Sequence, residues 1–415
     1  MFRSLAVRNY RLYASGQLIS LTGTWMQRVA QDWLVLELTN SGTALGVVTA
    51  LQFGPSLILG MWGGVLADRS NKRRLLLATQ TGLALIALTL GVLAVTGVVA
   101  YWHVLAMAFL LGLVTSIDTP VRQSFVVEMV GKDDLANAVG LNSTIFNIGR
   151  ILGPAVAGVM ISAIGTGWAF VANAASSVAV LVALLAMRPG ELFPSPVVRR
   201  ARGQLREGLH YVRGRPDLML TMALIFVIGT FGLNFQITTA LVAKQVFDRS
   251  ATGYGLLSTM LAVGACAGAI LATMRTRRPT QTFLVLGAIG FAVLEIASGL
   301  MPTFLTTAII LVPTGLAMLT LTTACNSSIQ LGVAPTMRGR VMALYLMCFM
   351  GGTPLGAPIV GWLAGVAGPR WGLVGGGLIC LLATFGLAVV FARRSGMSRT
   401  DMTERLQSIP VLSRS

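Results

Sequence analysis

Long apolar runs return about twelve times along this 415-residue chain, and each is long enough to cross a bilayer as a helix. They lie at approximately 11–38, 42–67, 74–98, 102–123, 135–164, 167–188, 217–243, 253–275, 280–300, 303–326, 338–365 and 370–392. The expected fold class is therefore all-α and membrane-embedded, with twelve transmembrane helices. A composition 55% hydrophobic and 11% charged, with mean hydropathy +0.77, excludes a soluble globular domain. The net charge of +17 would suit a nucleic-acid binder, but its placement does not. Basic residues gather in alternate loops, at 3–11, 69–74, 122–132, 188–215, 275–278, 338–340 and from 393 onward. The intervening loops hold almost none, only Lys244, Arg249 and Arg370. That alternation is the positive-inside pattern, and with an even number of spans it puts both termini in the cytoplasm. The first apolar run is too long for a cleaved signal, carries Arg28 and Asp32, and is read as a retained helix.

The expected domains are 1–188, a six-helix bundle; 189–216, a cytoplasmic linker; 217–392, a second six-helix bundle; and 393–415, a cytoplasmic tail. Pro189, Gly190, Pro194 and Pro196 break structure in the linker, and Gln204–Arg213 reads as a short amphipathic helix on the membrane surface. The two bundles look like repeats. Ser41-Gly-Thr-Ala-Leu-Gly46 resembles Ser250-Ala-Thr-Gly-Tyr-Gly255, and Gly149, Gly153 and Gly158 resemble Gly352, Gly356 and Gly361. Parallel six-helix repeats place a substrate site near mid-membrane between the halves.

The loop between the second and third spans reads Gly64-x-x-x-Asp68-Arg69-x-x-x-Arg73, too charged for hydrocarbon. It resembles the signature loop of the major facilitator superfamily, in which it latches helix ends together. That resemblance implies that Gly64, Asp68, Arg69 and Arg73, with Asp118 and Arg122 on the fourth span, lock the two halves while the exit faces outward. Asp118 is expected to pair with Arg69 or Arg73. The fifth span carries Gly140, Gly149, Gly153, Pro154 and Gly158, similar to the antiporter motif of that superfamily except that Ala157 replaces one glycine. Gly149, Gly153 and Ala157 form a small-residue stripe for close helix contact, and Pro154 bends the helix. The motif implies export. Arg8-Asn9-Tyr10-Arg11, Gly23-Thr24-Trp25, Asn147-x-x-Arg150-x-x-Gly153-Pro154 and Arg338-Gly339-Arg340-Val341 narrow the resemblance to the enterobactin-exporter-like branch, the transmembrane secretion effector group. It covers essentially the whole chain and implies a monomer in the inner membrane.

Ionisable residues inside a membrane span are functional candidates. Gln17, Thr24, Arg28 and Asp32 share a face of the first span, flanked by Gln31; Ser143, Asn147 and Arg150 share a face of the fifth. We expect Asp32, Arg28 and Arg150 to couple transport to protons. Thr24, Gln31 and Asn147, with Asn234, Thr238, Asn326 and Gln330 from the second half, are expected to bind substrate. Arg28 and Asp32, one turn apart, could instead simply neutralise each other. The second half shows no buried charge, and Glu295 in the ninth span reads as an interfacial anchor. The four cysteines lie far apart in apolar runs and the two histidines cannot build a metal centre, so neither disulfide, metal nor cofactor is expected. The phosphate-loop spacing of an ATP-driven pump and the motifs of an intramembrane hydrolase are missing. The expected function is proton-coupled export of amphipathic small molecules such as drugs, macrolide-like or siderophore-like compounds. The alternative is an uncoupled facilitator on the same fold.

Overall fold

A computed structural model describes residues 3–193, 204–275 and 277–394. In order, the helices are α1 (Arg8–Thr39), α2 (Gly42–Arg69), α3 (Lys72–Val95), α4 (Tyr101–Val130), α5 (Leu135–Ile164), α6 (Thr166–Ala186), α7 (Gln204–Arg213), α8 (Pro216–Val227), α9 (Phe235–Leu241), α10 (Ala251–Thr273), α11 (Gln281–Leu300), α12 (Phe304–Gly332), α13 (Pro335–Ala367) and α14 (Arg370–Arg394), with no strand among the described residues. An all-helical answer follows from hydrocarbon, where every backbone amide and carbonyl must find its partner within the protein. Eleven helical passages among the described residues are both long and apolar enough to span a membrane. The twelfth is α1, whose 32 residues would reach about 48 Å at 1.5 Å per residue but whose charges lower its hydropathy.

The caps are written locally. Ser70 and Asn71 alone separate α2 from α3, and the Asn71 side chain accepts from the Arg74 amide at 3.0 Å. Gly165, at φ +93°, both ends α5 and starts α6, a conformation that a side chain would strain.

The seventh passage departs from the single helix expected over 217–243. It is α8, a π-helical turn at Ile228–Gly232, α9, and a second π turn at Val242–Val246. Packing explains the first wide turn. A Cβ on Gly232 would stand 2.7 Å from the Phe291 ring, and one on Gly229 would stand 2.7 Å from the Phe349 carbonyl oxygen. Neighbouring helices thus press on a backbone that has lost its side chains.

The sequence repeats are also repeats of packing. Gly149 and Gly153 let α5 lie against Leu21, Thr22 and Trp25 of α1, while Gly352 and Gly356 let α13 lie against Thr230 of the seventh passage. One turn further, Gly158 meets Thr252 and Gly255 of α10, and Gly361 meets Gly42 of α2. The two seams between the halves, α5 with α10 and α2 with α13, therefore form by the same device. A Cβ on Gly42 would come within 2.7 Å of the Gly361 carbonyl oxygen, so the backbones nearly touch.

Side-chain hydrogen bonds between the halves gather toward one end of the bundle. Lys244 donates to the Leu36 carbonyl at 2.5 Å and Gln245 to that of Asn40 at 2.9 Å. Thr252 donates to the Gly158 carbonyl at 3.0 Å and to Ser162 Oγ at 2.8 Å. This closed end carries the loops near 40, 97, 165, 248, 302 and 368; the opposite end carries the Ser70 and Asp133 loops.

On the positive-inside pattern the closed end is expected to be external. With the four native cysteines replaced, Val98→Cys, at a position 62% exposed, should react with an impermeant maleimide in intact cells. Asp133→Cys, exposed in the α4–α5 loop, should react only after permeabilisation. The reverse pattern would invert the topology.

Candidate functional site

A cavity of about 290 Å³ lies between the halves, walled by α1, α5, the seventh passage, α10, α12 and α13. Two of the three residues expected to carry coupling line it. The Arg28 guanidinium stands 4.6 Å from the Trp25 ring centre and 6.0 Å from that of Phe53; Arg150 approaches Trp25 at 5.8 Å. Trp25 is braced edge-on by Phe146 at 5.5 Å. One indole thus holds two cations, one from α1 and one from α5.

Asp32 sits one turn beyond Arg28, at 5% exposure, outside the cavity lining. Its Oδ2 accepts from the Tyr254 hydroxyl of α10 at 2.8 Å, so the acid of the first half is bonded to the second. Tyr254 stacks on Trp33 at 6.4 Å, and Lys244 approaches the same indole at 5.7 Å. Among the described residues no ion pair within 4 Å joins Asp32 to Arg28, which stands one turn away on the same helix. Tyr254 stands at one of three positions where the second-half repeat departs from the first, with Leu45 in its place there, so sequence reasoning had only a weak signal for it.

The uncharged residues expected to bind substrate fall elsewhere. Thr24, Gln31, Asn147, Asn234, Thr238, Asn326 and Gln330 do not line the cavity. Thr24 Oγ1 donates to the Ser20 carbonyl at 2.9 Å, Asn147 to that of Ser143 at 2.8 Å and Asn234 to that of Thr230 at 2.7 Å. Thr238 donates to the Asn234 carbonyl at 3.3 Å, and Gln330 to Asn326 Oδ1 at 2.6 Å. Each bonds one turn back along its own helix. Gln31 donates to Gln52 of α2 at 3.1 Å. The polar lining comes instead from Gln236, Thr239, Tyr254, Ser258 and Thr322.

The loop residues resolve into ties within the first half. Asp118 does not pair with Arg69 or Arg73. Its Oδ1 accepts from Thr79 at 2.7 Å and Gln80 at 2.8 Å, and its Oδ2 accepts from Arg122, which also donates to Gln17. That network fastens α1, α3 and α4. Arg73 donates to the Leu184 and Leu185 carbonyls at 2.7 and 3.0 Å, capping the C-terminal end of α6. Lys72, read from sequence only as one of the loop's basic residues, forms a largely buried pair with Glu128 at 2.5 Å. Arg69 is exposed, Gly64 is buried, and the Asp68 side chain lies outside the described residues. In the antiporter-like motif, Gly149, Gly153 and Gly158 make the contacts given above, Pro154 lines the cavity, and Gly140 faces open space.

Glu295 is a correction. It is 2% exposed, far from an interfacial anchor, and gives the second half a buried ionisable group. A Cβ on Gly376 of α14 would lie 3.2 Å from its Oε1 and 2.7 Å from the Phe231 carbonyl oxygen. Its Oε2 finds no hydrogen-bond partner among the described residues.

The family model for transmembrane secretion effectors matches residues 2–411. The chain belongs to that family. It is 28% identical to the staphyloferrin A transporter of Staphylococcus aureus over 273 residues, 64% of this chain and 66% of that relative, just under two thirds of it. It is 26% identical to the multidrug efflux pump Tap of Mycolicibacterium fortuitum, covering 83% of this chain and 87% of Tap. It is 22% identical to the enterobactin exporter EntS of Escherichia coli, covering 95% of each. A bacterial homologue of the human lysosomal transporter Spinster, inward-facing and unoccupied, superposes with a TM-score of 0.74 over 93% of this chain and 97% of that one, at 16% identity. The nucleoside transporter NupG superposes at 0.73 over 92% and 99%, at 13% identity. The transmembrane secretion effector described here therefore has the major facilitator fold and is a multi-pass membrane protein.

A buried carboxyl without a partner weakens a fold, and an apolar side chain of similar volume relieves it. Glu295→Met should therefore raise the thermal unfolding midpoint of the purified protein, by the equivalent of about 1–3 kcal/mol. A lowered midpoint would show that the carboxyl has a stabilising partner.

Proposed function

We propose that this protein is a proton-coupled exporter of amphipathic small molecules, working by alternating access to the cavity between its halves from the cytoplasm and the exterior. The carrying observation is the Tyr254–Asp32 hydrogen bond. It lies beside the closed end, reaches from α10 to α1, and uses a buried carboxylate as acceptor. The relatives that bear the names of efflux pumps and siderophore exporters support the direction.

Proton exchange follows from that geometry. A hydroxyl donated to a carboxylate favours its ionised form relative to the same site without the donor. While the external end is shut, Tyr254 donates to Asp32 and favours release of the proton toward the cytoplasm. Opening the external end separates α10 from α1, removes the donor and favours proton uptake from outside. Protons then move inward as substrate moves outward. Arg28 and Arg150 line the cavity where substrate would sit, and Arg28 is one turn from Asp32, so that ligand binding and the proton at Asp32 can influence each other. The Asp68 loop is assigned the complementary task, latching the cytoplasmic end when the external end is open.

Asp32→Asn keeps the shape and removes the titration. In proteoliposomes it should abolish uphill efflux driven by a pH gradient while leaving downhill exchange measurable. Unchanged uphill efflux would remove Asp32 from coupling and favour the uncoupled facilitator or a coupling site elsewhere. Tyr254→Phe removes the bond across the seam. A hydrogen bond to a charged group contributes about 1.5–3 kcal/mol, so the externally open population should rise by roughly 10- to 100-fold relative to the closed one. Spin labels at Leu38 and Asp248 would report that opening as a longer distance; an unchanged distribution would mean that the seam does not depend on the bond.

A further inference from the structure

We infer that the cavity between the halves is an anion site: it takes a ligand with one negatively charged group, a carboxylate or its equivalent, on an apolar body. This rests on the cavity being the transport site proposed above. Both cations in its lining, Arg28 and Arg150, are guanidinium groups, and its lining contains no acid. Among the described residues neither arginine donates a hydrogen bond or forms an ion pair within 4 Å. The nearby acid, Asp32, accepts its bond from Tyr254 and stands outside the lining.

Two like charges approaching one indole from two helices repel each other strongly where little water screens them. A π face answers part of each charge but supplies no acceptor for the N–H groups. Asp32, one turn from Arg28, offsets one positive charge at most; a carboxylate between the two arginines would supply four lone-pair sites and the second negative charge, in the planar geometry for which guanidinium is suited. Leu261, Met318, Leu319 and Phe349 give the opposite walls no charge at all, which sets the apolar part of the ligand. A cationic amphipath meets two repulsive groups in the same space. Rejection of cations is thus built in by the pair that attracts anions.

The test is equilibrium binding to the purified full-length protein at neutral pH with three probes of nearly equal shape: 2-naphthoate, 2-naphthamide and 2-naphthylmethylammonium. Naphthoate should bind at least tenfold more tightly than the amide, and the ammonium most weakly. Arg28→Gln or Arg150→Gln should bring naphthoate down to the affinity of the amide without changing the amide, and Arg150→Lys should retain the preference. Decanoate in place of naphthoate separates an alkyl carboxylate from an aryl one, and preference for either over its own amide supports the assignment. Equal affinity for the three probes, tighter binding of the ammonium, or no naphthoate binding overturns it. Ala262→Trp fills the cavity and separates the two failures. If naphthoate and amide bind equally and both are lost in this variant, the cavity remains the ligand site and only its charge preference falls. If binding survives Ala262→Trp, the cavity is not the site and the transport reading falls with it.

Discussion

A charged group within a membrane span must face protein or a water-filled cavity, and the way this chain meets that demand organises the rest of the structure. Most of its paired acids are answered at home. Asp118 is held by Arg122, Thr79 and Gln80, and Asp217 by Arg215 and Arg278. Asp32 is answered from the other half, by Tyr254. That reach depends on glycine. Gly158 and Gly255 bring α5 and α10 close enough that a Cβ on Gly158 would stand 2.9 Å from the Thr252 Cα. Tyr254, next to Gly255, is thereby delivered to α1. The stripe on α5 and the acid on α1 are parts of one arrangement: the first sets the spacing at which the second can be bonded.

Much of the fold was legible because hydrocarbon imposes so few solutions. Lengths of apolar run, alternating basic loops and the two glycine repeats lead to helices, their order and a division into two repeated halves; which helices meet at the seams came from the structure. The wide turns of the seventh passage were not legible. A π turn leaves the apolar character of a segment unchanged; it arises where Phe291 and Phe349, distant in sequence, press against Gly232 and Gly229. Asp118 was misassigned for a different reason. Its partner Arg122 is four residues away on the same helix, and the resemblance to a latch directed attention across the loop instead.

The site divides along a physical line. Arg28, Arg150 and Asp32 were legible because a charge in a span has to face protein or water. Thr24, Asn147, Asn234 and Thr238 stand outside this cavity's lining, because hydroxyl and amide groups can be satisfied by a carbonyl one turn back, and here they are. A neutral polar stripe on a membrane helix is therefore weak evidence of a cavity, whereas an arginine is strong evidence. Glu295 shows the limit of even that rule. Its burial depends on where α14 and the π turn lie, and nothing in the local sequence of α11 indicates it.

The two halves, alike in packing, differ in where they keep charge and where they can bend. The first holds Arg28, Asp32 and Arg150 on long helices, fastened at the loop end by the Asp118 network and by Arg73 against α6. The second holds the interrupted passage, whose later π turn carries Lys244 and Gln245 to the carbonyls of Leu36 and Asn40. A helix with two wide turns can change its bend at lower cost than an unbroken one, because its amide ladder is already irregular. The clasp on the end of α1 is thus attached to the most deformable element, and the charges that sense proton and ligand sit on stiff ones. On the reading proposed here, that division lets a charge change at Asp32 be answered by movement of the second half while the arginine pair around Trp25 keeps its geometry.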